Sequence, residues 1–473
     1  MKLINKKYLL PVLGIFILSA CSKDTLNLNP YNAVVLSSAI KSEAGLQVAL
    51  TGAYSSIRNT NLYGRTLPVK GDLMSDNTYV TTSNSGRYLT MNNYAFNNGD
   101  ADAGGMWSTA YVAINNANTV INSGITGTAN INQYIGEALA VRALIHFELV
   151  RNFALPYTVD PTSPGIPYIT TYNADNLPSR PSVKDDYTQI IADLEKAYSM
   201  MTVYRGTGYF SKYAARALEA RVYQTMGDWA NAKTVALDVV TNSGFTLLPG
   251  STYPSYWKST APQTASKNET MFEVVSDAIN NNGFDQLGFI YIQVNGSGYA
   301  DLFATPGVAA LFAATDARSS LISAGTRSGQ VGTAYFCQKY TNPANSAGRD
   351  NTKVLRYSDV LLILAEAYYN LGDMVNANLY LNMVAQQRDP SFAGWADTGT
   401  QVLEDILVER QKEFLFEGYR FWDLVRLKRS FTKVKNPNPL ATVSVAPGNI
   451  ALIYPIPVAE INANPNMKQN PGY

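Results

Sequence analysis

Eight ionisable side chains fall within eighteen residues near the C-terminus: Glu409, Arg410, Lys412, Glu413, Glu417, Arg420, Asp423 and Arg426. Carboxylates this dense could form an acid/base pair or a metal site. Here each acid has a basic residue three positions away, as in Glu409 with Lys412, Arg410 with Glu413, Glu417 with Arg420, Arg420 with Asp423, and Asp423 with Arg426. That spacing predicts an ion-pair ladder on a helix surface, each rung contributing a few tenths of a kcal/mol. Other reactive groups are scarce, with 1 His and 2 Cys in 473 residues. Zinc, Cys–His and Ser–His chemistry therefore lack their parts, and no cofactor or metal is expected. The sole histidine, His146, lies in an apolar helical run and reads as a core or interface residue. A net charge of +1 leaves no electrostatic footprint for nucleic acid.

Binding chemistry has more material. Charged residues make up only 15% of the chain, and 31 Tyr together with many Asn, Ser, Thr and Gly fill the deficit. Aromatic faces stack on the C–H faces of sugars, and amides and Arg forks bind their hydroxyls. A polar stretch offers Asp76, Asn77, Tyr79, Arg87, Tyr88 and Tyr94, followed by Trp107 at a helix start; an Asn/Gly-rich stretch, 280–300, ends near Tyr299.

The elements that must position these residues are mostly helical. Leu403, Ile406, Leu407, Phe414, Phe421, Leu424 and Val425 form an apolar stripe under the charges, and Gly418 interrupts it. A helical glycine costs about 1 kcal/mol relative to Ala, so Gly418 marks a break between helices or a close backbone approach. Helical periodicity also runs over 42–59, 105–123 and 137–153. Two segments repeat one pattern, A-L-E-A-R-V-Y-Q-T-M-G-D-W-A-N-A at 217–232 and L-I-L-A-E-A-Y-Y-N-L-G-D-M-V-N-A at 362–377. They match at Ala220/Ala365, Tyr223/Tyr368, Gly227/Gly372, Asp228/Asp373 and Ala232/Ala377, which resembles a tetratricopeptide repeat. About four such helix pairs would make the scaffold, with long insertions between them. Trp257 reads as packing.

At the N-terminus, Lys2, Lys6 and Lys7 precede an apolar run of about 13 residues, too short for a bilayer span and proportioned as a signal peptide. It ends Leu18-Ser19-Ala20-Cys21, the pattern of bacterial lipoprotein processing. Acylated Cys21 would anchor the chain and leave Cys337 as the one free thiol, a small buried hydrophobe.

The string E-R-Q-K-E-F-L-F-E-G-Y-R-F-W-D-L-V-R resembles the C-terminal signature of the SusD/RagB family. So do V-L-R-Y-S-D-V-L-L-I-L-A-E-A at 354–367, N-E-x-x-F-E-V at 268–274, W-x-x-x-Y-x-x-I-x-x-A-N from Trp107, and the closing Y-P-I-P-V-A-E-I-N-A-N-P-N-M-K-Q-N-P-G-Y. The resemblance runs from Cys21 to Tyr473 and is weakest over 78–104 and 277–318. It implies a mostly α fold, a tetratricopeptide-like scaffold with loop-rich insertions and a few short strands. The implied layout is a leader at 1–20, a lipidated tether at 21–40, an N-terminal region with the ligand-loop insertion at 41–240, and a C-terminal region at 241–473. The implied activity is not enzymatic: a cell-surface lipoprotein of the outer membrane captures glycans for a SusC-like TonB-dependent transporter. A peptide-binding role of RagB type is the alternative, and a glycan-active enzyme a more distant one. In such proteins the aromatic platform comes from the two stretches above, which puts stacking on Tyr88, Trp107 and Tyr299 and hydrogen bonding on Asp76 and Arg87. Lipidation is checked directly: labelled fatty acid should enter the wild-type protein and not Cys21→Ala, and equal labelling of both would contradict it.

Overall fold

The structure, a computed structural model, describes residues 40–173, 175–293, 298–344 and 349–473. The leader, Cys21 and nearly all of the tether lie outside the described residues. Helices α1 (Glu43–Ile57), α2 (Thr66–Leu73), α3 (Ala101–Ile121), α4 (Ala129–Phe153), α5 (Val183–Met200), α6 (Lys212–Met226), α7 (Trp229–Asn242), α8 (Tyr357–Asn370), α9 (Met374–Arg388), α10 (Gln401–Glu413) and α11 (Arg420–Arg426) carry the fold. All but the short α2 and α11 pack in succession, α1 on α3, α3 on α4, and onward through α7 on α8 to α10. The stack therefore continues through residue 240, and 241–356 loops out before α8 rejoins it. Among the described residues the strands pair in two-stranded antiparallel sheets. Three of them matter below: β1 (Thr78–Val80) with β3 (Leu302–Ala304), β2 (Thr270–Val274) with β6 (Thr352–Arg356), and the hairpin of β4 (Ile322–Gly325) and β5 (Ala334–Cys337).

The repeated pattern is structural. α6 ends on Gly227 at φ 75° and α8 is followed by Gly372 at φ 83°, the left-handed turn that a Cβ would strain. Asp228 and Asp373 then cap α7 and α9, accepting from Asn231 N at 3.2 Å and Asn376 N at 3.0 Å. Ala220, Ala232, Ala365 and Ala377 are fully buried where helices cross. Trp257 and Cys337 are core residues, the thiol pushed up to about 12 by burial.

Gly418 does both things its position allows. It separates α10 from α11 at φ 81°, and a Cβ there would lie 2.7 Å from the Pro68 backbone of α2. Its N–H donates to Asp72 Oδ2 at 2.8 Å.

The surface ladder needs correction. Only Asp423–Arg426 at 2.8 Å and Glu409–Lys412 at 3.7 Å form as spaced. Among the described residues the other three pairs do not form, because these side chains point inward to partners far away in sequence. Glu413 meets Arg356 at 2.7 Å, Arg388 at 2.9 Å and Arg318 at 3.1 Å. Arg356 also holds Glu269 at 2.9 Å and Glu417 at 2.8 Å. Arg318 reaches Glu409 at 2.6 Å and Asp316 at 2.7 Å. Lys339 completes Glu417 at 2.6 Å, and Lys412 completes Asp316 at 2.9 Å. Five cations (Arg318, Lys339, Arg356, Arg388, Lys412) thus balance five carboxylates (Glu269, Asp316, Glu409, Glu413, Glu417). Burial opposes ionisation of Glu413, but the guanidiniums of Arg388, Arg356 and Arg318 outweigh it and hold the carboxyl well below its usual range. A second cluster joins Arg410 to Asp359 and Asp423, and Arg426 to Glu366.

His146 is fully buried and stacked on Tyr168 at 3.8 Å. Its Nδ1 donates to the Arg142 carbonyl at 3.0 Å and its Nε2 accepts from Ile169 N at 3.1 Å, so the ring is neutral. Burial pulls its pKa down to about 3.

Two stability measurements follow. Glu413→Ala strands three buried guanidiniums and should cost about 3–5 kcal/mol in denaturant unfolding, whereas Leu440→Ala, at 72% exposure, should change it by under about 0.5 kcal/mol. The unfolded chain takes up a proton on His146 below pH about 6.5 and the folded chain does not until about 3, so acid lowers stability across that window. Below pH 6 the wild-type slope should exceed that of His146→Gln by up to about 1.4 kcal/mol per pH unit.

Candidate functional site

The strand pair β1–β3 sets the site. Tyr79 lies opposite Phe303, so the segment after β1 and the segment before β3 leave the sheet together. Asp301 clamps them, its carboxylate accepting from Ser85 N at 2.8 Å and Ser85 Oγ at 2.6 Å. Gly86 at φ 88° and Tyr88 at φ 61° then turn the chain back, the second a conformation that side chains other than Gly seldom adopt. Arg87, between them, is thrown across the gap.

There Arg87 meets Tyr299. Its guanidinium lies 3.9 Å from the Tyr299 ring centroid, and Nη2 donates to the Tyr299 hydroxyl at 3.0 Å. The same Nη2 bonds Asp285 Oδ1 at 2.9 Å, and Arg65 Nη1 bonds that oxygen at 2.8 Å. One half-exposed carboxylate therefore holds two arginines. Beside it Phe284 is 58% exposed and leans on Phe289, ring centroids 5.0 Å apart.

Arg65 and Arg87 also line a cavity of about 380 Å³, together with Tyr88, Asn97, Asp100 and Asp102, among others. Asp100 is occupied as the α3 cap, accepting from Ala103 N at 2.9 Å. Burial and the neighbouring Asp100 charge push Asp102 up to about 6, against the pull of Arg65. The volume and mixed lining suit a small polar ligand with one apolar face. Among the described residues no group of three or more His, Cys, Asp and Glu side chains could hold a metal ion, and no helix is long and apolar enough to cross a membrane.

Of the residues expected at one site, Arg87, Tyr88 and Tyr299 are together. Tyr88 is only 4% exposed, so it is cavity wall more than platform. Asp76 faces away: Arg420 clamps its carboxylate with two bonds of 2.9 Å, and Gln411 adds a third contact. Trp107 is 5% exposed, packs on Tyr111 and Phe153, and donates to Glu460 at 3.2 Å. It lines a different cavity. Sequence reasoning gave no role to Arg65, Phe284, Asp285 and Asp102. Phe284–Asp285 carried a signal, an aromatic and an acid directly after the turn-forming run Asn280–Gly283; Arg65 carried none.

Comparisons with known proteins agree along the chain. A family model described as "SusD family" matches residues 323–473, and one described as "Starch-binding associating with outer membrane" matches residues 24–224. SusD-like protein P2 of Formosa agariphila is 26% identical, the match covering 99% of this chain and 100% of that protein. A crystal structure of a "Putative sugar binding protein" from Bacteroides vulgatus superposes with a TM-score of 0.83 at 28% identity, over 92% of this chain and 99% of that one. A SusD superfamily protein from Bacteroides thetaiotaomicron gives 0.82 at 27% identity, over 91% and 100%.

The placement of Trp107 and Arg87 makes their roles separable. Trp107→Ala should cost about 3–5 kcal/mol of stability, the price range for emptying a large core site. Arg87→Ala, with its side chain 31% exposed, should change stability by under about 1 kcal/mol. Chemical denaturation reads both.

Proposed function

The chain belongs to the SusD/RagB family, and from that premise we propose that it is a glycan-binding protein of the outer membrane that delivers its ligand to a SusC-like TonB-dependent transporter. The observation that carries the glycan reading is the cluster next to the cavity. Two forked donors, Arg65 and Arg87, share the Asp285 carboxylate, Arg87 stacks on Tyr299, and the exposed ring of Phe284 adjoins Asp285 in the chain. A sugar presents C–H faces to the rings and hydroxyls to the guanidiniums and to Asp285.

The reading is of binding, not catalysis. Hydrolysis of a glycosidic bond takes two carboxylates flanking the bond. Asp100 is tied up as a helix cap and Asp285 by two arginines, so Asp102 stands alone in the cavity.

The partner reading draws support from the repeats. α9 exposes Val375, Leu379 and Met383 by 80%, 52% and 41%. Their four-residue spacing makes one outward apolar stripe, which a transporter surface would cover. In this arrangement the repeat helices face the barrel and the loops face the ligand, as the family resemblance implies. An anchor at Cys21 facing the cell exterior would keep the pair together.

Calorimetry against a panel of neutral oligosaccharides and peptides tests the ligand. One stacked ring contributes roughly 0.5–1.5 kcal/mol beyond area burial, so Phe284→Ala or Tyr299→Ala should weaken glycan binding about two- to tenfold at unchanged melting temperature. Binding of peptides with no glycan in the panel bound would replace the reading by the RagB-type one. Purification in mild detergent should bring down a large barrel, and Leu379→Asp should reduce its recovery; repeated absence of a barrel would favour a free-standing binder.

A further inference from the structure

The outward face of α3 carries more than the cavity at its N-terminal end. Ala101 and Asp102 line the Arg87 cavity. Thr109 and Val112 line a second concavity of about 530 Å³, closed on the other side by Arg58, Asn59 and the Ile279–Asn282 turn. Val112 also borders a third, of about 430 Å³, where Trp107, Tyr111, Asn115, Tyr172 and Glu460 meet. Ala101, Thr109, Val112 and Asn115 fall within about 120° of one another on the outward side of the helix, and Ala101 to Asn115 spans about 21 Å at 1.5 Å per residue.

The third concavity is built, not incidental. Its far wall is strapped to α3: the Tyr111 hydroxyl donates to the Pro167 carbonyl at 2.9 Å, Asn118 to that of Ile169 at 2.9 Å, and Asn122 to that of Thr170 at 2.7 Å. Trp107 and Tyr111 form its floor with ring centroids 5.1 Å apart, and Tyr172 stands at its mouth 73% exposed. Its one charged lining residue, Glu460, already accepts from Trp107 Nε1. Aromatic faces ringed by amides, with one carboxylate able to accept from hydroxyls, fit a neutral sugar ring. Between the ends Gly105 has no side chain and so makes room for Asn61, 2.9 Å from where a Cβ would be, which donates to Thr109 Oγ1 at 3.0 Å; the track passes over this amide.

We propose that the Tyr111–Tyr172 concavity is a second sugar subsite, and that the ligand is an oligosaccharide bound along α3 from the Arg87 cavity to Tyr172. This rests on the glycan reading of the preceding subsection. It adds that affinity grows with chain length, because only a chain of several rings reaches both ends.

The test is calorimetry with malto-, xylo- and laminari-oligosaccharides of two to eight rings, on wild type, Tyr172→Ala and Phe284→Ala. Tyr172 is exposed, so its removal leaves the fold intact. Tyr172→Ala should leave binding of the shortest ligands within twofold and weaken that of the longest fivefold or more. Phe284→Ala should weaken all lengths. Long-chain affinity unchanged in Tyr172→Ala, or reduced equally at every length, would overturn the second subsite while leaving the Arg87 site standing. If no length binds wild type, the glycan reading itself falls, and the second subsite with it.

Discussion

One carboxylate in the dry interior, Glu413, is shared by three guanidiniums, and most of the structure is fixed by that arrangement. Each charge in such a network has lost its water, so each needs its partners at hydrogen-bond distance. Arg318, Arg356 and Arg388 come from the loop before the 322–337 hairpin, the end of β6 and the end of α9. The carboxylate comes from the end of α10, and Glu269 adds the start of β2. Five segments scattered over the C-terminal half must therefore arrive in one register. A ring of greasy contacts of the same size would tolerate sliding; this one does not.

The same frame reaches the loops that carry Arg87 and Tyr299. Asp72 takes the Gly418 N–H, and Asp76 takes the Arg420 guanidinium, so the turn that leads into β1 is bolted to the break between α10 and α11. β1 pairs with β3, and beyond that pair Asp301 ties Ser85 to the segment that carries Tyr299. A chain of specific polar contacts thus runs from the buried network to the rim where Arg87 and Tyr299 meet. Asp76 contributes to that rim without touching it, as a positioning residue.

What could be read in the sequence and what could not follow from range. The helix pairs, the Gly227 and Gly372 turns, the Asp caps and the break at Gly418 are local or periodic features, and the structure carries them at those residues. The stripe under the charge run is also real: Ile406, Leu407, Phe414, Phe421, Leu424 and Val425 are buried, with Leu403 half-buried. The ladder failed because near neighbours in sequence were outcompeted by partners from β6, α9 and the 316–318 loop. Nothing in the local string shows that Arg420 will find Asp76, some 344 residues away. At the site, the meeting of Arg87 with Tyr299 was legible from two polar, aromatic-bearing insertions. Trp107 was not separable from them, since a tryptophan near a helix start reads the same whether it faces a ligand or Phe153.

In the proposed complex a rigid helical frame presents its ligand on the α3 face, between Phe284 and Tyr172. A crystal structure of the protein with a bound oligosaccharide tests this most directly. Sugar density should lie against Phe284 and Tyr299 and continue over Val112 toward Tyr172, with the loops in the positions described here. Density seated on the repeat helices α6 to α9 instead, with the Arg87–Tyr299 rim empty, would contradict it.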